Sequence, residues 1–389
     1  HINSVSVSVS DRLVQIFQWN CHGIRQRVEE LKQHLSQSTA NYDILCLQET
    51  FLKEKQKISF PGYKIVRHDR PDRGGGGLIT LIRDTLNYSE IAGPDDIECI
   101  IVKVKLSTSY LTVVNLYLPP RQKVDKIMLK ELFGPKTVIV GDLNAKSKIW
   151  GSPHSDSRGL IIEELLDECK FCCINNGQAT YTHYDGTKSH LDLCLVSDSI
   201  AAQSTWHTLN NSMGSDHNPT VIKLFEQSFY IEAEAQSRFN FSKADWMTYK
   251  TKCRPLLTVA NIASDDVNVY NAQFTSAIIK AAEASIPQSH PRTKHRHKPL
   301  PYWNHGCKNA VYERNCAKNA KNKNNTVENR ENYKRLKGIA QFQIKSSAKE
   351  HWQNYCSTLN SHTKLGSVWN MARKMNGTTS DHKIHNLID

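Results

Sequence analysis

The residues of this sequence that could do chemistry lie where its apolar segments end. In chain order they are Asn20, Glu49, Tyr117, Asp142, Asn144, Asp216 and His217. Strand ends are where sheets of the helix-flanked class gather ligand groups, because side chains from separate strands converge there on a rigid support. The set combines carboxylates and carboxamides with one phenol and one imidazole. It predicts a polar site assembled from distant parts of the chain.

The chemistry of this set favours a divalent cation that faces a phosphate. Hard oxygen ligands suit Mg²⁺, which keeps several waters and typically uses one or two protein carboxylates plus substrate phosphate oxygens. The imidazole of His217 and the phenol of Tyr117 are donors for charge that develops on a phosphoryl oxygen.

Asp192 is a further candidate because it lies inside the apolar run His190-Leu191-Asp192-Leu193. A carboxylate buried without a partner is costly, so we expect one to be present. His217 is a suitable partner, since a carboxylate fixes the tautomer of an imidazole and stabilises its protonated form.

Each of these residues alone could have an ordinary structural role. Glu49 could be a cap or a surface residue, Gly141-Asp142-Leu143-Asn144 could be a turn, and Asp216-His217 could be an exposed loop pair. Their joint occurrence at the ends of apolar runs favours a site. Gly74-Gly75-Gly76-Gly77 lacks the spacing of a phosphate-binding loop and precedes a strand, so we interpret it as a turn or hinge.

The elements that must position these residues are short strands mixed with a few helices. Helical stripes occur over 25–38 and 159–170, and the apolar runs predict strands at Leu13–Trp19, Asp43–Leu47, Gly77–Ile82, Ile100–Leu106, Leu111–Leu118, Thr137–Val140, Leu191–Val196 and Thr220–Leu224. This order, without strict alternation of strand and helix, predicts a layered α/β sandwich.

The second part of the chain differs in charge and composition. Residues 1–226 carry 25 Lys and Arg against 26 Asp and Glu, whereas residues 227–389 carry 25 against 12. Such asymmetry is typical of a protein that binds a polyanion, most often nucleic acid, although a merely solvated tail is the alternative. Residues 289–301 read as a linker or basic arm, and 309–359 as one or two exposed helices with a sparse apolar stripe of Ile339, Phe342 and Trp352.

Composition excludes several classes of protein. No apolar run reaches the roughly 18 residues of a membrane span, and no secretory leader is visible. The 11 cysteines are odd in number and lie mostly in apolar surroundings, as expected for reduced thiols. We therefore expect a soluble intracellular chain of two or three domains; because it begins with His1, we also expect a fragment of a longer product.

Six motifs in order resemble the endonuclease/exonuclease/phosphatase superfamily, and most of all the apurinic-like endonuclease domain of non-LTR retrotransposons of the jockey-like group. They are Gln18-Trp19-Asn20, Leu47-Gln48-Glu49-Thr50, Asn115-Leu116-Tyr117-Leu118-Pro119-Pro120, Gly141-Asp142-Leu143-Asn144, His190-Leu191-Asp192 and Ser215-Asp216-His217. The resemblance spans about 13–226 and implies a four-layered α/β sandwich. The remainder resembles the region that precedes reverse transcriptase in those elements.

The resemblance also implies roles for the residues. Glu49 would bind the metal with Asn20 nearby and Asp216 beside it, and Asp142 would orient or deprotonate the attacking water with support from Asn144. Tyr117 and His217 would contact the scissile phosphate, and Asp192 would orient His217. The implied cofactor is Mg²⁺, with Mn²⁺ as a substitute.

One residue departs from the family pattern. His22 stands where some relatives carry an acidic residue of the metal site. This departure bears on the details of metal binding more than on activity. The chain also lacks the Tyr-x-Asp-Asp signature of a polymerase, so we do not expect it to copy RNA by itself.

The implied activity is metal-dependent nicking of one DNA strand in the nucleus, which leaves a 3′-hydroxyl primer for reverse transcription. Expected partners are target DNA and, through the basic tail, element RNA, with no membrane. The expected organisation is a leader (1–12), the nuclease domain (13–226), a linker with some helix (227–300) and a basic helical region (301–389). Two alternatives are a phosphatase of the same superfamily that acts on a small phosphomonoester, and a decayed copy that only binds nucleic acid.

Overall fold

The computed structural model describes residues 7–37, 41–70, 74–106, 109–231, 238–258, 266–289, 299–360 and 363–375. Most of the predicted basic arm, residues 290–298, lies outside these ranges. The chain divides into two compact units, of which the larger comprises residues 9–229 and 296–389 and the smaller comprises 1–8 and 230–295. The polar residues identified above all belong to the larger unit.

Two six-stranded sheets form the centre of the larger unit. Numbered in chain order, its strands are β1 (Val7–Asn20), β2 (Ile44–Gln48), β3 (Tyr63–His68), β4 (Leu78–Arg83), β5 (Tyr88–Ile91), β6 (Glu98–Lys105), β7 (Tyr110–Tyr117), β8 (Thr137–Asp142), β9 (Phe171–Cys173), β10 (Tyr181–Thr182), β11 (Lys188–Ser189), β12 (Asp192–Ser197), β13 (Ser204–Thr208) and β14 (Thr220–Ile231). The first sheet has the order β13-β14-β1-β2-β4-β3, and the second has the order β5-β6-β7-β8-β12-β9. Strands β10 and β11 form a separate two-stranded hairpin.

The two sheets pack face to face and helices cover their outer faces. Ile16 and Ile44 of the first sheet share one buried cluster with Val113 and Val138 of the second. Helix α1 (Val28–Gln37) covers the other face of the first sheet, and α3 (Ser157–Cys169) covers that of the second. Two short helices, α2 (Lys126–Lys130) and α4 (Asp198–Ala201), complete this part. The predicted four-layered α/β sandwich is therefore confirmed.

All eight strands predicted from the sequence are present, and they are the eight interior strands of the two sheets. Within the two sheets the sequence analysis missed four strands, β3, β5, β9 and β13, and these are the four edge strands; it also missed the short β10–β11 hairpin. An edge strand is partly exposed, and β5, for example, buries none of its four residues. Such a strand carries no continuous apolar run, so a search for apolar runs finds only the strands that have neighbours on both sides.

Gly141 lies in β8 where only a hydrogen atom fits against the neighbouring strand. A Cβ at this position would lie 1.7 Å from the carbonyl oxygen of Leu116, which is backbone and cannot move aside cheaply. We expect Gly141→Ala to lower the free energy of unfolding by about 3 kcal/mol, the upper end for an overpacked core. Gly338→Ala is the control, because a Cβ there meets open space in a helix and should stabilise by up to about 1 kcal/mol.

The urea midpoint of the larger unit, followed by fluorescence of the buried Trp19 and Trp150, measures both variants. Equal midpoints for Gly141→Ala and the unchanged chain would contradict the close approach of Gly141 to the backbone of Leu116.

The C-terminal part of the larger unit is a helical hairpin. Helix α7 (His305–Lys323) begins after Asn304, and α8 (Val327–Ser357) begins after Thr326; each of these capping side chains accepts a hydrogen bond from the backbone of the first turn. A further helix, α9 (Leu365–Met375), follows. Among the described residues of both units, no helix has the combined length and apolar character of a membrane-spanning segment.

The apolar stripe predicted on α8 is wrong in part. Ile339 and Phe342 are exposed, and the buried residues of this helix are Ala340, Ile344 and Ser347. Small side chains let the two helices of the hairpin approach closely, so the buried face is not the most apolar one.

The described residues of the smaller unit form two α-helices and a short two-stranded sheet. Helices α5 (Trp246–Leu256) and α6 (Val267–Glu283) pack together, and β15 (Arg238–Phe239) pairs with β16 (Gln288–Ser289). This segment is the one predicted as a linker with some helix.

Residues 7–12, predicted as part of a leader, form the first half of β1, whose alternation of Val and Ser is a strand pattern. The domain limits inferred from the sequence stay a prediction.

Candidate active site

The polar residues meet at one edge of the sandwich because of strand direction. Strands β1 and β2 run parallel, as do β7 and β8, and the register pairs Asn20 with Gln48 and Tyr117 with Asp142. Strand β12 runs antiparallel to β8, so its first residue, Asp192, lies opposite Asp142. Four strand ends and one strand beginning therefore share an edge.

Asp142 joins the two sheets at this edge. Its Oδ2 accepts a hydrogen bond from the side chain of Asn20 at 2.8 Å, although Asn20 lies on the other sheet. Its Oδ1 accepts from the backbone N–H of Asn144 at 3.1 Å. Burial raises the pKa of Asp142 to about 7, with a further contribution from Asp192 and opposition from His217. Asp142 is therefore a carboxylate that can take up a proton near neutral pH.

His217 and Asp192 form a buried pair next to Asp142. The Nδ1 of His217 lies 2.7 Å from Oδ2 of Asp192, and its Nε2 lies 3.8 Å from Oδ2 of Asp142. Burial alone would lower the pKa of His217, but the carboxylates of Asp192, Asp142 and Asp216 outweigh burial and raise it to about 10. The imidazole is therefore held protonated, with Nδ1 engaged and Nε2 directed toward Asp142.

Buried amides fix Asp192, and they were not singled out from the sequence. Gln18 donates to Oδ1 of Asp192 at 2.8 Å and to Oε1 of Gln48 at 2.8 Å, and Gln48 donates to Oδ1 of Asn115 at 2.7 Å. Thr220 donates to Gln18 at 2.7 Å, which completes the row. The signal in the sequence was a polar residue within the last three positions of each of three largely apolar strands.

Glu49, Tyr117 and Asp216 form the other half of the site around His22. The hydroxyl of Tyr117 donates to Oε1 of Glu49 at 2.7 Å, and Nδ1 of His22 lies 3.1 Å from Oε2 of Glu49. The same nitrogen lies 4.0 Å from Oδ1 of Asp216. The residue that departs from the family pattern thus lies between the two carboxylates predicted to bind the metal.

Both carboxylates are held in their charged form. Burial alone would raise the pKa of Glu49, but hydrogen bonds from His22, Tyr117 and Asn20 outweigh it, so the pKa is lowered. Burial alone would also raise the pKa of Asp216, but its interactions with His217 and His22 outweigh burial, so the pKa is lowered. Burial and the charge of Glu49 raise the pKa of Tyr117, so the phenol stays protonated as a donor.

Three residues of the site have a left-handed backbone conformation that side chains rarely adopt. The φ angles are 44° for His22, 51° for Glu49 and 46° for Asn144. For residues other than glycine this conformation costs on the order of 1 kcal/mol each, and such strain concentrates at functional sites. Backbone bonds hold it in place: the N–H of Gly23 donates to the carbonyl of Glu49 at 2.7 Å.

The donor set fits a divalent cation that keeps much of its water. Among the described residues no group of three or more His, Cys, Asp and Glu side chains forms a cation site by itself. The two charged carboxylates near His22, with the amide of Asn20 beside them, match instead the sparse set of one or two carboxylates that Mg²⁺ takes from proteins. Glu49, Asp216 and Asn20 would hold the ion; these are the roles that the resemblance implies for them, and they stay a prediction.

Arg158 supports the loop of Asn144 and was missed by the sequence analysis. It is buried, and one of its nitrogens, Nη1, donates to the carbonyls of Leu118, Leu143 and Asn144 at 3.0 to 3.2 Å. The side chain of Asn144 itself donates to the carbonyl of Leu118 at 3.1 Å. Asn144 therefore shapes the loop beside Asp142, and among the described residues its side chain makes no hydrogen bond to another member of the predicted set.

Comparison with known proteins finds one matching family model and similar proteins of mobile elements. Residues 111–221 match the model of the family described as Endonuclease-reverse transcriptase. The chain is 28% identical over 281 residues to the RNA-directed DNA polymerase from mobile element jockey of Drosophila melanogaster, and 25% identical over 284 residues to that of Drosophila funebris. Each likeness covers 70% of this chain and 30% of the relative, so the chain spans about a third of the length of these relatives.

Among solved structures, the endonuclease domain of TRAS1, a telomere-specific non-LTR retrotransposon, aligns with a TM-score of 0.48 and 21% identity over 56% of this chain and 100% of that domain. The apurinic endonuclease LMAP of Leishmania major aligns with a TM-score of 0.45 and 17% identity over 55% of this chain and 88% of that chain. By sequence, then, this chain is similar over residues 111–221 to the endonuclease-reverse transcriptase family and over most of its length to the RNA-directed DNA polymerases from mobile element jockey.

Proposed function

We propose that this chain is a divalent-metal-dependent endonuclease that nicks one strand of DNA and leaves a 3′-hydroxyl end. The observation that carries the proposal is the pairing of two different carboxylate environments at one edge. Asp142 lies next to a protonated His217, while Glu49 and Asp216 are held anionic about His22. This arrangement separates a proton acceptor and a donor from a cation site, as phosphodiester hydrolysis requires.

In the proposed mechanism each side chain has one task. Asp142, fixed by Asn20 and by the backbone of Asn144, orients a water and accepts its proton. The Nε2 of His217 donates to a non-bridging oxygen of the scissile phosphate, and Asp192 holds the ring in place through Nδ1. Glu49 and Asp216 would hold a divalent cation, which when bound would supply positive charge for the phosphate and for the leaving oxygen until that oxygen takes a proton from water. Tyr117 donates to Glu49 in the free chain, and its contact with the phosphate stays a prediction.

The broader role follows from the relatives. Their name describes RNA-directed DNA polymerases, so the 3′-hydroxyl would serve as the primer for reverse transcription by the rest of such a protein. We propose that Mg²⁺ is the cation, that target DNA is the substrate and that the chain acts in the nucleus. Element RNA is a further proposed ligand of the basic helical region.

Supercoiled plasmid tests the function directly. We expect the full chain with Mg²⁺ to convert it to nicked circles, to do nothing in EDTA, and to leave ends that a DNA polymerase extends without prior phosphatase treatment. Release of inorganic phosphate from small phosphomonoesters without nicking would favour the phosphatase alternative. Binding of the plasmid with neither reaction would favour the decayed copy.

The pH dependence of nicking should reflect Asp142 and His217. Asp142 must be ionised to accept a proton, and its pKa of about 7 means that the ionised fraction falls as the pH drops through neutrality. His217 must be protonated to donate, and its pKa of about 10 leaves this requirement satisfied until strongly alkaline pH. We expect the nicking rate to rise between about pH 6 and 8, to stay level above that, and to begin falling near pH 10 as His217 loses its proton.

Rates at constant ionic strength and saturating Mg²⁺ between pH 5 and 10 measure this profile. Asp142→Asn is the control, since its residual rate should lose the acid limb. A level rate down to pH 5 in the unchanged chain would contradict the role given to Asp142.

A further inference from the structure

The helical hairpin of α7 and α8 is anchored on the nuclease sandwich by a buried ion pair. Both terminal nitrogens of Arg314 on α7 bond the two carboxylate oxygens of Glu30 on α1, each at 2.7 Å. The hydroxyl of Tyr302, just before α7, donates to Glu29 on the same helix. A two-pronged contact of this kind fixes direction as well as distance, so it sets which side of α7 faces the sandwich.

That side of α7 reaches the loop that carries His217. Arg314, Lys318 and Lys321 are spaced so that they share one side of the helix. The Nζ of Lys318 donates to Oδ1 of Asn218 at 3.1 Å, immediately after His217, and Lys318 is only 8% exposed. The Nζ of Lys321 lies 3.5 Å from the carbonyl of His183, in the β10–β11 hairpin.

The β10–β11 hairpin continues this surface to the catalytic imidazole. The ring of Tyr181 lies 4.6 Å from that of His217, and the N–H of Thr182 donates to the carbonyl of Asp216 at 3.1 Å. At its tip, Tyr184 lies under the guanidinium of Arg330 on α8, 5.4 Å from the ring centre. The helices therefore form one wall with the loops around His217.

This wall carries more positive charge than its neighbours neutralise. We use the name cationic face for Arg314, Lys318 and Lys321 of α7 together with Lys337 of α8. Within it Arg314 pairs with the Glu30 carboxylate, whereas Lys318 and Lys321 donate to the neutral oxygens of Asn218 and His183. Burial, with Arg314 adding to it, lowers the pKa of Lys318 to about 7, and burial lowers that of Lys337 to about 8.

Arg27 adds a further positive charge beside the face. It donates to the carbonyl of Gly214 at 3.1 Å, and its Nε is buried without a hydrogen-bond partner among the described residues. A Cβ on Gly214 would lie 3.3 Å from Arg314 and 3.9 Å from Arg27, so both guanidinium groups lie against this glycine. The negative charge of Asp216 raises the pKa of both Lys318 and Lys337 and so partly offsets the effect of burial. The proposed cation would engage this carboxylate. The cationic face and Arg27 therefore carry more positive charge than the neighbouring carboxylates balance.

We propose that the cationic face binds a phosphate of the cut DNA strand next to the scissile one. The inference rests on the proposed nuclease function and assigns part of its substrate contact to helices outside the sandwich. A DNA phosphate supplies the missing negative charge, and Lys318 is placed beside Asn218, one residue from the group proposed to hold the scissile phosphate. The basic region preceding the polymerase of these elements would then be part of the nuclease.

Binding of a short DNA duplex to the full chain tests the proposal, with Asp142→Asn present throughout to prevent cleavage. The test variant is Lys318→Gln/Lys321→Gln/Lys337→Gln. The control is Lys308→Gln/Lys345→Gln/Lys349→Gln, which makes the same three substitutions at exposed lysines of the same two helices. Each phosphate contact contributes about −0.9 to the slope of log affinity against log salt. We expect the test variant to lose one to two such contacts from the salt slope and at least about tenfold in affinity. We expect the control variant to change neither the slope nor the affinity by much.

Nicking by the same variants with Asp142 intact separates the possible outcomes. A raised KM with kcat changed less is expected for the test variant, with an unchanged urea midpoint as evidence of folding. Equal salt slopes for test and control would overturn the proposal while leaving the nuclease function standing. Faster nicking by the test variant would also overturn it, because the hairpin would then obstruct the DNA. A chain that never nicks but shows the expected slopes would reject the proposed function and leave the phosphate contact supported.

Discussion

His217→Ala is expected to lower the nicking rate by about 10³-fold without unfolding the chain. Removal of a single preorganised donor to a developing phosphoryl charge costs on the order of 10² to 10³ in kcat, and the loss of the proton-bearing group adds to it. The imidazole is 4% exposed and lies against both Asp192 and Asp142, so a water molecule that entered the vacated space would not replace its positive charge. Single-turnover nicking of supercoiled plasmid measures the effect.

A matched control and a graded variant sharpen this prediction. His207→Ala changes the same residue type on β13, where the side chain is half-buried, and should leave the rate within about threefold of the unchanged chain. Asp192→Asn keeps the shape of the partner but removes its charge, and should cost about 10- to 100-fold, as is usual for a residue that orients another.

Asp192→Asn also has a signature that a purely structural role lacks. The negative charge of Asp192 helps to raise the pKa of His217, so its removal lowers that pKa and moves the alkaline limb of the rate profile to lower pH. Equal losses for His217→Ala and His207→Ala, or an alkaline limb that Asp192→Asn leaves in place, would remove His217 from the mechanism.

The sequence predicts most of the sandwich because burial on both faces leaves a readable pattern. Ile44 to Gln48 is buried at every position, and a short apolar run of this kind is typical of an interior strand. β13, with one buried residue in five, has neighbours on one side only and leaves no comparable run. The same logic accounts for the site, since a polar residue at the end of a buried strand interrupts a pattern that is otherwise apolar.

The sequence predicts which residues belong to the site better than it predicts the contacts between them. The pattern places Tyr117 and Glu49 near each other, but it does not indicate that the phenol donates to the carboxylate in the free chain. Nor does it predict that His22 lies between Glu49 and Asp216, because that position depends on backbone angles of a turn. Such details depend on geometry at the scale of one hydrogen bond.

The docking of the hairpin could not be inferred from the sequence. Arg314 and Glu30 are 284 positions apart, and each is an ordinary charged residue of a polar helix in its own segment. Net charge indicated a polyanion partner for the tail, but only the structure places Lys318 beside the catalytic loop and Lys321 beside the adjoining β10–β11 hairpin. The physical reason is that a helix pattern reports which residues share a side and carries no information about the partner of that side.

Glu49→Gln is expected to raise the Mg²⁺ concentration for half-maximal nicking by at least about tenfold and to lower the maximal rate by about 10²-fold. The substitution keeps the size of the side chain and the acceptor for Tyr117, but it removes the negative charge that a hard cation requires. Losing a ligand charge weakens both the retention of the ion and the charge stabilisation that it supplies. Titration of the nicking rate with Mg²⁺, repeated with Mn²⁺, separates the two effects, because Mn²⁺ binds more tightly to the same ligands.

Two controls distinguish a lost ligand from a disturbed neighbourhood. Glu54→Gln makes the same change at an exposed position and should leave the metal dependence as it was. Tyr117→Phe removes the donor to Glu49 but leaves the negative charge of that ligand in place, so a smaller shift in metal dependence than that of Glu49→Gln is expected. If Glu49→Gln nicks with the metal dependence of the unchanged chain, the cation is held elsewhere, and the pairing of Glu49 with Asp216 about His22 serves only to hold the loops together.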